Sequence, residues 1–106
     1  MNVAIADTPE SREQGLSGRP GLAANEGMLF VFPKDGRYAF WMKDMQFAID
    51  ITWISYSKEI VDIRESVGPE SYPATFVPRW EARYVLELPA GFVEAHDVAI
   101  GDSVEF

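Results

Sequence analysis

Residues 46–53 read Gln46-Phe47-Ala48-Ile49-Asp50-Ile51-Thr52-Trp53. Large apolar side chains occupy every second position of this segment, which is the side-chain period of a β-strand. We therefore expect one face of the strand to pack on a hydrophobic core. The opposite face carries Asp50, so this strand also brings a carboxyl group to the sheet.

Two further pairs of segments predict hairpins. Residues 60–64 alternate in the same way and follow a polar turn, so they are expected to pair with the strand at 46–53. Upstream, residues 27–32 form a continuous apolar run, typical of a central strand buried on both faces. The sequence Pro33-Lys34-Asp35-Gly36 is a turn signal before residues 37–42, which predicts an antiparallel hairpin there.

The remaining segments complete a mainly β protein. Strands are expected at 2–6, 79–88 and the C-terminus, with short helices at 8–16 and 92–97 and an irregular loop at 67–78. We predict a single domain over residues 1–106, with the fold of an antiparallel β-sandwich or partly closed barrel of about six to seven strands and two short helices. Trp53 and Trp80 are assigned to the core.

Composition excludes several classes of protein. The 106 residues carry a net charge of -8, which opposes binding to the phosphates of nucleic acid. The chain has no cysteine, so it has neither disulfides nor a thiolate nucleophile. No apolar run is long enough to span a membrane, and the chain is expected to be soluble. Two compartments stay open, the cytoplasm or the exterior after removal of an export signal.

Familiar catalytic signatures are missing. His96 is the only histidine, which excludes a metal site of several histidines within one chain. Because it lies between Glu94 and Asp97 in a polar helical turn, it is interpreted as a surface residue. Neither a cofactor nor a metal site is predicted.

Two carboxyl groups lie within apolar strand segments, Ile49-Asp50-Ile51 and Leu86-Glu87-Leu88. A carboxylate in such surroundings needs hydrogen bonds or a cation to offset the loss of its hydration. Three alternatives remain open for the pair. In the first, both are surface carboxylates paired with Arg19, Arg83 or Lys43. In the second, they belong to a buried salt bridge. In the third, they form a ligand site or an acid/base dyad.

The segment Phe40-Trp41-Met42-Lys43-Asp44 places an indole ring directly before two charges. A flat aromatic ring beside charged groups is suited to a sugar or another polar ring, which stacks on the indole while the charges bind its hydroxyls. Packing of Trp41 in the core is the alternative interpretation.

Several ordered motifs resemble a known family, the domain of unknown function 192. They are Gly15-Leu16-Ser17, Arg19, the run from Glu26 to Phe32, Phe40-Trp41-Met42-Lys43, Ile49-Asp50 and Tyr84-Val85-Leu86-Glu87-Leu88. The resemblance covers nearly the whole chain and implies a small β-sandwich-like or barrel domain, without implying a reaction. Asp44 stands where the family often has asparagine, and Met45 stands where a small polar residue is usual.

We therefore expect a non-catalytic module that binds a carbohydrate or another small polar ligand in a cleft near the loop at 67–78. One alternative is a hydrolase-like enzyme that uses Asp50 and Glu87 as acid and base or as ligands of a hard cation. Another is a structural or protein-interaction domain in which Arg19, Asp50 and Glu87 form a stabilising salt-bridge network. The oligomeric state stays open. The predicted ligand-binding residues are Arg19, Trp41, Lys43, Asp44, Asp50 and Glu87.

Overall fold

Seven strands dominate the computed structural model, which describes residues 1–106. Two short α-helices and one 3-10 turn, Pro69–Ser71, connect them, and no helix has the length and apolar character needed to cross a membrane. The elements are β1 (Asn2–Ala6), α1 (Pro9–Gln14), β2 (Glu26–Gly36), β3 (Phe40–Trp41), β4 (Ile49–Ile54), β5 (Ile60–Val67), β6 (Thr75–Phe76), β7 (Ala82–Pro89) and α2 (Phe92–Ala95).

Five strands form one mixed sheet in the order β1-β2-β7-β4-β5, and β3 pairs with β6 in a separate two-stranded sheet. The mainly β class and the strand count are confirmed. The predicted antiparallel arrangement holds for every strand pair but one, since β1 runs parallel to β2 after a crossover through α1. The sheet ends at β1 and β5, so it is not closed into a barrel.

The alternating segment at 46–53 becomes β4, which lies between β5 and β7 and is buried along its whole length. Its predicted hairpin with β5 is confirmed. In the pairing with β7, Ile51 lies opposite Glu87 and Asp50 lies opposite Leu88. Paired residues share a face and successive residues alternate, so Asp50 and Glu87 point to opposite faces of the sheet.

The main hydrophobic core covers one face of the five-stranded sheet. Met28, Phe30, Ile51, Trp53 and Val85 contribute to it from β2, β4 and β7. Side chains outside this sheet close the core from above, including Leu16, Met42, Phe40 and Phe76. The two-stranded sheet and its flanking loops therefore form the second layer, and Glu87 lies on the same sheet face as this core.

The predicted hairpin between residues 27–32 and 37–42 is wrong. Strand β2 already pairs with β1 on one side and β7 on the other, so it has no free edge for β3. It continues through Pro33 to Gly36, and its register with β7 breaks between Val31 and Gly36. A proline is tolerated there because a strand irregularity needs no ladder hydrogen bond at that position. Strand β3 pairs with β6 instead.

Three further expectations can be compared with the structure. Trp53 is fully buried, as predicted, but Trp80 is 67% exposed because β7 begins only at Ala82. The expected C-terminal strand is reduced to a single bridge between Ser103 and Glu59. His96 is exposed on α2, where it stacks on Phe92, in agreement with its interpretation as a surface residue.

Candidate functional site

A cavity of about 620 Å³ opens between α1, the end of β2, β3 and the turn that follows β3. Five aromatic and six charged side chains line it, and we call Glu87 of β7, the only buried charged residue among them, its floor. The sequence blocks that carry the family resemblance meet here, since the Gly15, Phe30, Trp41 and Glu87 blocks all contribute. The lining residues are Glu10, Arg12, Glu13, Gln14, Gly15, Leu16, Ser17, Phe30, Phe32, Tyr38, Ala39, Phe40, Trp41, Lys43, Asp44, Met45 and Glu87.

The first wall is α1, a helix of one and a half turns that depends on its caps. Thr8 and Ser11 form a reciprocal capping box, and Pro9 occupies the first helical position. The helix ends at Gly15 with a φ of 46°, where a Cβ would lie 3.1 Å from the ring of Phe30. Glycine therefore allows the chain to turn closely over the aromatic wall.

The opposite wall is the turn after β3, which is bound to the segment after α1. Ser17 Oγ donates to the carbonyl of Lys43 at 3.1 Å, and the Gly18 amide donates to the carbonyl of Asp44 at 3.0 Å. Asp44 has a φ of 60°, a left-handed conformation that asparagine and aspartate tolerate better than most residues. The left-handed conformation therefore accounts for the asparagine that the family often has at this position.

Aromatic rings form a continuous cluster along the cavity. Phe30 and Phe40 meet edge to face with ring centroids 5.0 Å apart, and Phe32 stacks on Tyr38. At the rim Trp41 is 48% exposed, so it is not a core residue, and its ring centroid lies 5.2 Å from that of Tyr72. Tyr72 belongs to the loop at 67–78, which therefore borders the cavity entrance.

Glu87 is the exceptional residue of the site. It is only 5% exposed and its carboxyl group forms neither a hydrogen bond nor a salt bridge. Every completely enclosed side-chain oxygen of the chain has a hydrogen-bond partner. Because the Glu87 oxygens have no partner, they are not completely enclosed and remain accessible from the cavity. Burial raises the pKa of this carboxyl from 4.5 to about 8, since the charged form loses hydration and gains no partner in exchange.

Asp50, by contrast, is fully satisfied within the fold. It is completely buried on the other face of the sheet, where one carboxylate oxygen accepts from the Ser66 amide at 2.8 Å. Its second oxygen accepts from the Val93 amide of α2 at 2.9 Å. Ser66 has a φ of 50° in the β5 bulge opposite Asp50, so this carboxylate holds a bulge and a helix start together.

This arrangement corrects two hypotheses. Asp50 and Glu87 cannot act on one substrate or share one cation, because they lie on opposite faces of the sheet. The proposed salt-bridge network is also absent, since no ion pair joins Arg19, Asp50 and Glu87. Arg19 is exposed and lies outside the cavity. Of the six predicted ligand-binding residues, four line the cavity, namely Trp41, Lys43, Asp44 and Glu87.

Sequence reasoning missed one buried carboxylate and most of the aromatic wall. Asp62 of β5 is buried and binds Arg64 at 3.0 Å and the Arg79 amide at 2.8 Å. Burial alone would raise its pKa, but the amides of Arg79 and Ile63 and the Arg64 charge outweigh burial and hold the pKa below its usual value. The density of aromatic residues between 30 and 41 was the available signal for the wall.

The family model described as "Uncharacterized ACR", domain of unknown function 192, matches residues 1–106. The chain belongs to this family. A domain of unknown function 192 relative from Thermococcus sibiricus, named UPF0127 protein, is 30% identical over 106 residues, which cover 98% of this chain. A relative of the same name from Pyrococcus furiosus is 31% identical, and the match covers all of this chain and 87% of that protein. The chain spans only 65% of the Thermococcus sibiricus protein.

Two crystal structures have the same fold as this chain. One is of a candidate transcription regulator from Sinorhizobium meliloti, 38% identical, with a TM-score of 0.92 over 97% of this chain and 79% of the other. The second is of a protein of unknown function from Novosphingobium aromaticivorans, 24% identical, with a TM-score of 0.93 over 98% and 74% of the two chains. The second likeness concerns the fold alone.

Removal of one acceptor oxygen from Asp50 is expected to destabilise the fold. Asp50→Asn leaves either the Ser66 or the Val93 amide without an acceptor, which should lower the free energy of unfolding by about 2 to 4 kcal/mol. Urea unfolding measures this loss, and Asp7→Asn, at an exposed aspartate without side-chain bonds, is the control. Equal small effects of the two substitutions would contradict the structural role of Asp50.

Glu87 is expected to make stability decrease as pH rises. Below its unfolded pKa of 4.5 the carboxyl is neutral in both states; between 4.5 and about 8 only the folded state keeps the proton. Stability should therefore fall by roughly 1.4 kcal/mol per pH unit in this window and level off above it.

Glu87→Gln should remove this slope, because the amide does not titrate, whereas Glu81→Gln at an exposed position should retain it. Urea unfolding at several pH values gives the comparison. Identical slopes for the parent chain and Glu87→Gln would show that Glu87 titrates normally in the fold.

Proposed function

We propose that this chain is a small-molecule binding module whose ligand occupies the aromatic cavity and contacts the carboxyl group of Glu87. The observation that carries the proposal is that this carboxyl is only 5% exposed, borders the cavity and forms no hydrogen bond or ion pair with the rest of the chain. Buried polar groups are nearly always hydrogen-bonded, and exceptions require an explanation. A ligand in the cavity would supply the missing partner.

The shape of the cavity supports the same proposal. Its volume of about 620 Å³ lies within the range of ordinary small-ligand sites, and its lining combines aromatic rings with charged groups. Such sites bind the body of a ligand through apolar contact and fix its orientation through one or two polar groups. Glu87 and Lys43 are two charged groups of the lining that can do so.

The rim favours a ligand with a flat or ring-shaped part. Trp41 is half-exposed at the entrance, and Lys43 Nζ lies 5.7 Å from the centroid of its indole ring. A sugar or another polar ring could stack against Trp41 while its hydroxyl groups bind the lysine and Glu87. A carbohydrate or other small polar molecule therefore remains the proposed ligand class.

Two other roles gain no support from the geometry. An acid/base pair of Asp50 and Glu87 is excluded by their positions on opposite faces of the sheet. The Sinorhizobium meliloti relative is described as a candidate transcription regulator, but direct contact with DNA is not part of our proposal for this chain. Its net charge of -8 opposes attraction to phosphates.

Ligand binding is tested by amide NMR spectra of the labelled chain with a panel of monosaccharides, nucleosides and polar metabolites at millimolar concentration. We expect shifts at Gly15, Trp41 and Lys43, which border the cavity. With a ligand in hand, Trp41→Ala should weaken its binding about tenfold, because stacking on the indole is lost.

Trp80→Ala is the matched control, since Trp80 is exposed but does not line the cavity, and it should leave the affinity unchanged. A panel that shifts no cavity resonance would contradict the proposal. Equal weakening by the two tryptophan substitutions would place the ligand elsewhere.

A further inference from the structure

The environment of Glu87 is suited to a positive charge more than to a neutral hydroxyl group. The face of an aromatic ring carries negative electrostatic potential and attracts cations within about 6 Å. Phe30, Phe40 and Trp41 line the same cavity as the Glu87 carboxyl. A cation in this cavity would have both aromatic rings and a carboxylate within its walls.

The aromatic walls already accept cations from the chain itself. The guanidinium carbon of Arg12 lies 5.3 Å from the ring centroid of Phe32, and Lys43 Nζ lies 5.7 Å from that of Trp41. Arg12 also donates to the carbonyl of Val31 at 2.9 Å. Neither cation forms an ion pair with Glu87. None of the acidic groups that line the cavity forms an ion pair, and Glu87 is the buried one among them.

The balance of charge around the cavity points the same way. Acidic groups outnumber basic ones among its lining residues, and the whole chain carries a net charge of -8. A negative field of this kind raises the local concentration of small cations and lowers that of anions. The charged lining residues are Glu10, Glu13, Asp44 and Glu87 against Arg12 and Lys43.

We propose that the ligand of this cavity is a small organic cation, whose ammonium group pairs with Glu87 while its alkyl groups pack among Phe30, Phe40 and Trp41. This inference rests on the proposed function and names the chemical class of its ligand. Primary amines and quaternary ammonium compounds share the required charge. They differ in hydrogen bonding, which only a primary amine can give to the carboxylate.

Binding of a cation is coupled to the loss of one proton. The free carboxyl has a pKa of about 8 and is mostly protonated at neutral pH, whereas a bound cation favours the carboxylate. Its paired neighbours on β2 and β4, Met28 and Ile51, carry no charge. The other titratable or charged groups that line the cavity are Glu10, Arg12 and Glu13 from α1 and Tyr38, Lys43 and Asp44 from the segment around β3.

The test compares choline and ethanolamine with 3,3-dimethyl-1-butanol, a neutral molecule of nearly the same shape as choline. Calorimetry and amide NMR are run between about pH 5.5 and about pH 7.5, below the pKa of Glu87. We expect at least one cation to bind at the cavity and the alcohol to bind at least tenfold more weakly. Affinity for the cation should rise about tenfold per pH unit, with release of about one proton.

Two variants separate Glu87 from the general negative field. Glu87→Gln should abolish the proton release and most of the pH dependence, whereas Glu81→Gln, which removes an exposed carboxylate outside the cavity, should change affinity by less than about threefold. Equal binding of choline and its neutral analogue, or an affinity that is flat or falls as pH rises, would overturn the inference.

The test also distinguishes this inference from the proposed function. If neither cation binds but a sugar or another panel member shifts the cavity resonances, the cationic ligand is wrong and the binding module stands. If neither the cations nor the panel shifts them, both proposals fall.

Discussion

The pairing of β4 with β7 determines the role of each buried carboxyl in this protein. Ile51 lies opposite Glu87 and Asp50 lies opposite Leu88, so the alternation of side chains sends the two acidic groups to opposite faces of one sheet. A shift of this register by one residue would exchange the faces of every side chain on β4 relative to β7. The core, the β5 bulge and the cavity floor all depend on the observed register.

The two buried carboxyl groups differ in their hydrogen bonding. Asp50 accepts hydrogen bonds from Ser66 and Val93, and these bonds attach β5 and α2 to the centre of the sheet. Glu87 accepts none, and burial favours its neutral form. A charged carboxylate in that position needs a partner, and the open side of the cavity is where one can enter. The structural role of Asp50 and the binding role that we propose for Glu87 therefore belong to opposite faces of the sheet.

Local patterns in the sequence were sufficient for the elements whose partners are close along the chain. Alternation at 46–53 predicted β4, and its hairpin with β5 followed from the short turn between them. Long-range pairing was not accessible in this way. The parallel partner of β1, the pairing of β3 with β6 and the open sheet depend on which edges are already occupied.

The candidate site was accessible only in part for the same reason. Trp41, Lys43 and Glu87 were identified from their residue types, because charges and an indole ring next to apolar strands are unusual. Asp50 was assigned to the same site because its apolar neighbours in the sequence resemble those of Glu87. Only the register between two strands distinguishes the two acids, and the sequence of either strand alone does not contain it.

The protonation state of Glu87 is the most direct test of this account. Carbon-13 NMR of the side-chain carboxyl groups, followed across pH, measures it without a ligand. We predict that Glu87 titrates near pH 8, well above the value of 4.5 for an unperturbed glutamate. A Glu87 pKa between about 4 and 5 would show that the carboxyl is hydrated or paired in solution, and would contradict the unpaired cavity floor on which the account rests.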